Sequence, residues 1–88
     1  MYILYIVKCS DETLYTGITS DINRRIKEHN FSVKGAKYTR IRRPVKLVYT
    51  EEHLSRSLAS KREYEIKKYM SRGDKLKLIA ANKSMEHT

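Results

Sequence analysis

Tyr2-Ile3-Leu4-Tyr5-Ile6-Val7-Lys8-Cys9, then Ser10-Asp11-Glu12, then Thr13-Leu14-Tyr15-Thr16-Gly17-Ile18, is the stretch that decides the fold. Its first segment is β-branched and aromatic and is bounded by polar turn residues, which predicts a strand. Both alternating faces of that strand are apolar, which predicts a central strand covered on each side. The second segment reads as its hairpin partner. Side chains alternate between faces, so Tyr5, Val7 and Cys9 share one. A two-residue loop would pair Cys9 with Leu14 and put Tyr5 and Tyr15 on opposite faces. An odd loop or a bulge would put both tyrosines on the same face.

Working outward, Thr19-Ser20-Asp21 offers a helix cap and an early acid. The helix is expected to run to His29 or Asn30, with Ile22 and Ile26 facing the core. Arg25 and His29 are one turn apart and share a side of it. Phe31 to Arg43 is polar and basic, a loop with a short helix near Ala36 to Arg40. Pro44 introduces a third strand, Val45 to Thr50. Ser55 or Ser57 caps a long helix to about Met70, with an apolar stripe of Leu58, Ala59, Ile66, Tyr69 and Met70. Gly73 is expected to break the chain before a last helix from Asp74 to about Asn82 that buries Leu76, Ile79 and Ala80. The domain is expected over residues 1–82, with a flexible tail over 83–88. The order β-β-α-β-α-α predicts an α+β fold, a three-stranded, mostly antiparallel sheet flanked by helices.

The 88 residues have room for one core. With 19 Lys and Arg against 10 acids, the net charge of +9 favours polyanion partners, nucleic acid first. No apolar run is long enough for a membrane span, and the N-terminus reads as a strand instead of a signal peptide. The single cysteine, Cys9, excludes an intramolecular disulfide. A reducing, cytoplasmic location fits this. Cys9 and the three histidines have no zinc spacing.

The triplets Ile3-Leu4-Tyr5 and Tyr15-Thr16-Gly17 are followed by Arg24-Arg25-Ile26-Lys27-Glu28-His29 and later by Lys61-Arg62-Glu63-Tyr64-Glu65-Ile66-Lys67. This order resembles the GIY-YIG nuclease superfamily, specifically its small stand-alone members, over residues 2 to 80. Ile3 stands where the first triplet has glycine, and Thr16 where the second has isoleucine. The resemblance implies the same fold and one shared site for Tyr5 and Tyr15, so a three-residue loop or a bulge is expected in the hairpin. It implies a divalent-metal-dependent endonuclease using Mg²⁺ or Mn²⁺. Tyr5, Tyr15, Arg25, His29 and Glu63 match its catalytic positions. One tyrosine would take the proton from water while the other positions water or phosphate. A phenol needs nearby cations to be a base at neutral pH. The planar fork of Arg25 suits the phosphorane, and His29 would relay a proton or bind phosphate. Glu63 would be the metal ligand, because a hard carboxylate suits a hydrated Mg²⁺. Its structural alternative is an ion pair with Lys67. Many family members carry an asparagine after the glutamate helix; here Asn82 is too far along.

Gly35-Ala36-Lys37-Tyr38-Thr39-Arg40 resembles a segment of the small subgroup and of structure-selective junction nucleases. Lys37, Tyr38 and Arg40 are candidate strand-binding residues, the tyrosine by stacking. Arg42 and Arg43 would touch phosphates non-specifically, and Arg24 backbone at most. With no appended binding module, recognition of single strands, flaps or branches is expected over recognition of sequence, as in DNA repair. DNA is favoured over RNA, and a protein partner could supply further specificity. Two other readings remain: a non-catalytic nucleic-acid-binding module, and an adaptor for an acidic protein.

Overall fold

The computed structural model describes residues 1–86, with side chains placed to Asn82. Strand β1 (Tyr2–Lys8) pairs antiparallel with β2 (Leu14–Thr19) on one side and with β3 (Lys46–His53) on the other, giving the order β2-β1-β3. The first strand is therefore the central one, as its two apolar faces require. Leu4, Tyr5, Ile6 and Val7 are all buried. The remaining elements are helices α1 (Ile22–Phe31), α2 (Lys37–Arg40), α3 (Arg56–Tyr69) and α4 (Arg72–Glu86).

The hairpin uses an odd loop. Cys9 N–H donates to Thr13 O at 2.8 Å and Glu12 N–H donates to Cys9 O at 3.0 Å, leaving Ser10, Asp11 and Glu12 as the loop. Glu12 sits at φ 71, the left-handed position that glycine usually takes in such loops. Asp11 braces the turn by accepting from Thr13 N–H and Thr13 Oγ1–H. The resulting register sets Tyr5 opposite Gly17 and Val7 opposite Tyr15, so both tyrosines share one face.

That face is covered by α1. Tyr5, Val7, Cys9 and Val45 form its buried cluster, with Tyr15, Ile22 and Ile26 packed against it. Asp21 caps α1 by accepting from Arg24 N–H. Asn30 then ties the helix to the sheet: its amide donates to Val45 O and accepts from Val45 N–H, as a neighbouring strand would.

The opposite face, Leu4 and Ile6, is covered by α3 and α4. Glu51 pairs with Leu4 in the sheet and accepts from Arg62 of α3 at 2.9 Å. Ser55 caps α3 by accepting from Leu58 N–H, and Ala59 and Ile66 form its buried stripe. Leu58 and Tyr69 were expected in that stripe but are exposed, because only positions one to two turns from Ala59 on its own side meet the sheet. The break before α4 falls at Met70-Ser71, not at Gly73. Ser71 and Asp74 form a reciprocal cap, Asp74 N–H to Ser71 Oγ and Ser71 N–H to Asp74 Oδ2, which starts the helix upstream of the glycine. Along α4, Ile79 is buried, whereas Leu76 and Ala80 are exposed. The helix is continuous to Glu86 where a tail is expected from residue 83; residues 87 and 88 lie outside the described residues. No helix among the described residues is long and apolar enough to cross a membrane.

Candidate active site

Tyr5 lies flat across the β2 backbone. A Cβ built on Gly17 would sit 2.5 Å from Tyr5 Oη and 2.7 Å from Cζ, so only glycine lets the phenol reach this position. There Tyr5 Oη meets His29 Nε2 at 2.6 Å. His29, on the last turn of α1, is fully buried at 0% exposure. Its other nitrogen, Nδ1, meets Thr39 Oγ1 at 2.8 Å. Thr39 comes from α2, which the Gly35 loop presses onto α1; a Cβ on Gly35 would be 2.6 Å from Glu28 O and 3.0 Å from His29 Cα.

Burial governs the acidity of this pair. Burial pushes the Tyr5 phenol up to about 12, with the Arg25 guanidinium pulling it back down and Tyr15 and Glu63 pushing it further up. Burial also lowers the His29 imidazole to about 4, aided by the positive charge of Arg25. Both groups are therefore neutral at physiological pH, the phenol protonated and the imidazole not.

Tyr15 packs edge-on against the same histidine, with ring centroids 5.5 Å apart. It stacks on Tyr38 at 5.9 Å, and Arg42 lies 3.9 Å over the Tyr38 ring. Lys67 Nζ of α3 lies 5.3 Å from the Tyr15 ring centroid. Arg25 donates to Glu28 Oε1 at 2.9 Å and to Lys34 O at 2.8 Å. Glu63 of α3 pairs with Lys67 at 3.3 Å, the lysine that lies over Tyr15, and its charge acts on Tyr5. Arg62, the preceding residue, turns about 100° away to Glu51. One helix thus grips the sheet with Arg62 and presents Glu63 to the site.

Tyr5, Tyr15, Arg25, His29 and Glu63 converge from β1, β2, α1 and α3. The strand-binding candidates divide. Arg24, Lys37 and Arg40 are exposed on the surface. Tyr38 is engaged with Tyr15 and Arg42. Arg42 also bonds Asp11 at 3.0 Å and Tyr38 O at 2.9 Å. Arg43 is turned inward and donates to the carbonyls of Glu28, His29 and Ser32 at the end of α1. His29 has no exposed surface with which to touch a phosphate; its two ring nitrogens face Tyr5 and Thr39. Sequence reading did not single out Thr39. It lies in the highlighted basic segment, but nothing in a spacing of ten residues signals contact with His29.

The donor set bears on metal binding. Among the described residues no group of three His, Cys, Asp or Glu side chains comes together, so there is no all-protein cage. Glu63 is one hard carboxylate, a quarter exposed at the edge of the site. That fits a hydrated Mg²⁺ or Mn²⁺, which keeps most of its waters and takes one or two carboxylates.

Fold and site together define the class. The family model of the GIY-YIG catalytic domain matches residues 1–77, and the chain belongs to the GIY-YIG family. This is a nuclease family, generally dependent on a divalent metal, and its domain implies a nucleic-acid substrate. Within it the chain is similar to small UPF0213 proteins. It is 67% identical over 66 residues to one from Desulfotalea psychrophila, covering 75% of this chain and 60% of that protein. It is 58% identical over 78 residues to one from Staphylococcus epidermidis, covering 89% and 93%. The solution NMR structure of a UPF0213 protein from Bacillus halodurans matches with a TM-score of 0.58 at 46% identity, over 92% of this chain and 85% of that one.

Proposed function

We propose that the protein is a divalent-metal-dependent endonuclease that hydrolyses phosphodiester bonds in DNA and selects structure over sequence. The observation that carries this reading is the buried Tyr5–His29 hydrogen bond at 2.6 Å, facing Arg25 and Glu63. A phenol raised to about 12 is a poor free base at neutral pH. Joined to a neutral imidazole, it can take a proton from water as it passes its own to His29, so no free phenolate is formed. On this reading Tyr5 is the base, and because its phenol is only 1% exposed in the resting protein, substrate binding must open a path for the attacking water to Oη. Tyr15, braced by Tyr38, positions the water or the phosphate. Arg25 exchanges its Glu28 contact for the phosphate and stabilises the charge of the phosphorane. Glu63 would hold the metal ion, which supplies Lewis-acid stabilisation of that charge and of the leaving oxygen. Lys67, beside both Glu63 and Tyr15, would give up its pairing with the carboxylate if Glu63 held the ion.

Arg24, Lys37 and Arg40 are the proposed backbone contacts; Arg42, part-exposed over the Tyr38 ring, and Arg43, turned inward, contribute charge. A cytoplasmic repair setting fits this substrate choice. End-labelled single-stranded, duplex, flap and branched DNA incubated with Mg²⁺, Mn²⁺ or EDTA tests the reading. Wild type should give metal-dependent product, most from single-stranded or branched substrates. Tyr15→Phe and Glu63→Gln should each lose at least ~10²-fold in rate and still bind. Salt-sensitive binding with no product from any substrate would support the non-catalytic module instead.

A further inference from the structure

His29 faces two hydroxyl groups, Tyr5 Oη at 2.6 Å from Nε2 and Thr39 Oγ1 at 2.8 Å from Nδ1. A hydroxyl has one proton to donate and a neutral imidazole has one N–H. Thr39 Oγ1 lies 2.9 Å from Ala36 O, an atom that only accepts and that also takes the Thr39 and Arg40 N–H groups, so the hydroxyl proton has an acceptor there as a third donor. Thr39 therefore presents a lone pair to His29, and Nδ1 carries the imidazole proton. Nε2 is left as an acceptor, aimed at the Tyr5 O–H.

The surroundings of Tyr5 agree. Arg25, the cation that acts on the phenol, is a donor only, so the Tyr5 proton must go to His29. With the opposite tautomer both neighbours would donate to one phenol oxygen and its proton would have no acceptor among these groups. From this geometry we propose that Thr39 is a positioning residue: it selects the Nδ1–H tautomer of His29 and so aims the proton-accepting nitrogen at Tyr5. Its catalytic meaning rests on the nuclease reading, but the tautomer is a property of the resting protein.

The proton balance closes. As the water oxygen bonds to phosphorus, its proton moves to Tyr5 Oη and the phenolic proton moves to Nε2. Nδ1–H keeps its bond to Thr39, and the imidazolium later returns a proton through Tyr5 to solvent. The bond between phosphorus and the leaving oxygen breaks, that oxygen keeps the bonding pair, and it takes a proton from solvent. With Nε2 protonated from the start the relay has nowhere to go.

Two-bond ¹H–¹⁵N NMR of protein labelled in its imidazoles, at pH 7 and without nucleic acid, tests this. Wild type should show His29 with Nδ1 protonated and Nε2 bare. Thr39→Ser should keep the pattern, and Thr39→Val should move it to the Nε2–H form or a mixture. In the cleavage assay Thr39→Val should lose ~10²-fold in kcat, with affinity for uncleaved substrate within about twofold, and Thr39→Ser should restore most of the rate. An Nε2–H signal in wild type, or a valine variant that keeps both the Nδ1–H pattern and kcat, overturns the proposal. Should Thr39→Val fail to fold, the wild-type and serine spectra decide it. If wild type cleaves nothing, the nuclease reading falls, while the spectra still decide what Thr39 does to His29.

Discussion

His29 couples the site to stability. Its folded value of about 4 lies below the ordinary 6.5, so the unfolded chain binds a proton that the native state refuses. The stabilisation is fully present above pH 6.5 and is lost as pH falls toward 4, by up to roughly 3 kcal/mol. Urea titrations at steps from pH 7.5 to 4 should show this slope in wild type, and His29→Gln should flatten it. An equally steep wild-type and variant profile would place the acid sensitivity elsewhere. At this scale much was legible. Tyr5, Tyr15, Arg25 and Glu63 stand out as candidates through the order and spacing of the family motif, while residue chemistry alone would leave them ordinary strand and helix-surface side chains. Gly17 is needed for a reason the sequence does not display: the Tyr5 ring occupies the space of its Cβ. Thr39 was not legible, since a threonine in a polar segment looks the same whether it meets water or a buried imidazole.

Among the elements, the end of α1 shows how the basic segment is used. Arg43 satisfies three carbonyls there and brings a positive charge to the negative end of the helix. Arg43→Leu should therefore destabilise the protein by roughly 2–3 kcal/mol, seen as a Tm lowered by ~10 °C or more. Arg40→Ala, three residues away on an exposed position of α2, should leave Tm unchanged and weaken strand binding. Equal effects of the two substitutions on Tm would contradict the assignment. The sequence predicts the elements well because local signals set them: Ser55 caps α3 as expected, and α1 starts at the expected place, although Asp21 itself is the cap in place of the preceding hydroxyl, because its carboxylate reaches Arg24 N–H. It placed the last break at Gly73, whereas the Ser71–Asp74 cap starts α4 earlier; a reciprocal cap outweighs the cost of one glycine in a first turn. It also overestimated the buried stripes of α3 and α4, because how much of an amphipathic face is covered depends on the width of the sheet beneath.

Over the whole molecule the excess of cations acts as a field. The 19 Lys and Arg against 10 acids give a net +9, and although several of these cations are hydrogen-bonded within the structure their charge still counts in that field. Three to five phosphate contacts to a single strand would make log K fall with log salt at a slope of about −2 to −4, and Arg40→Ala should reduce its magnitude by about 0.7. Fluorescence anisotropy of a labelled oligonucleotide across salt measures this directly. A slope near zero would favour the adaptor for an acidic protein.

The linear chain determined the element order, the central place of β1 and the sign of the field, because these follow from periodicity, caps and residue type; it also displayed the family motif that singles out five side chains as candidates. Tertiary structure alone decided which cations face solvent and which brace the scaffold. It also buried His29 beyond the reach of phosphate and brought Thr39 to its second nitrogen. Those outcomes depend on contacts between segments far apart in sequence, where a side chain's role is set by its neighbours in space.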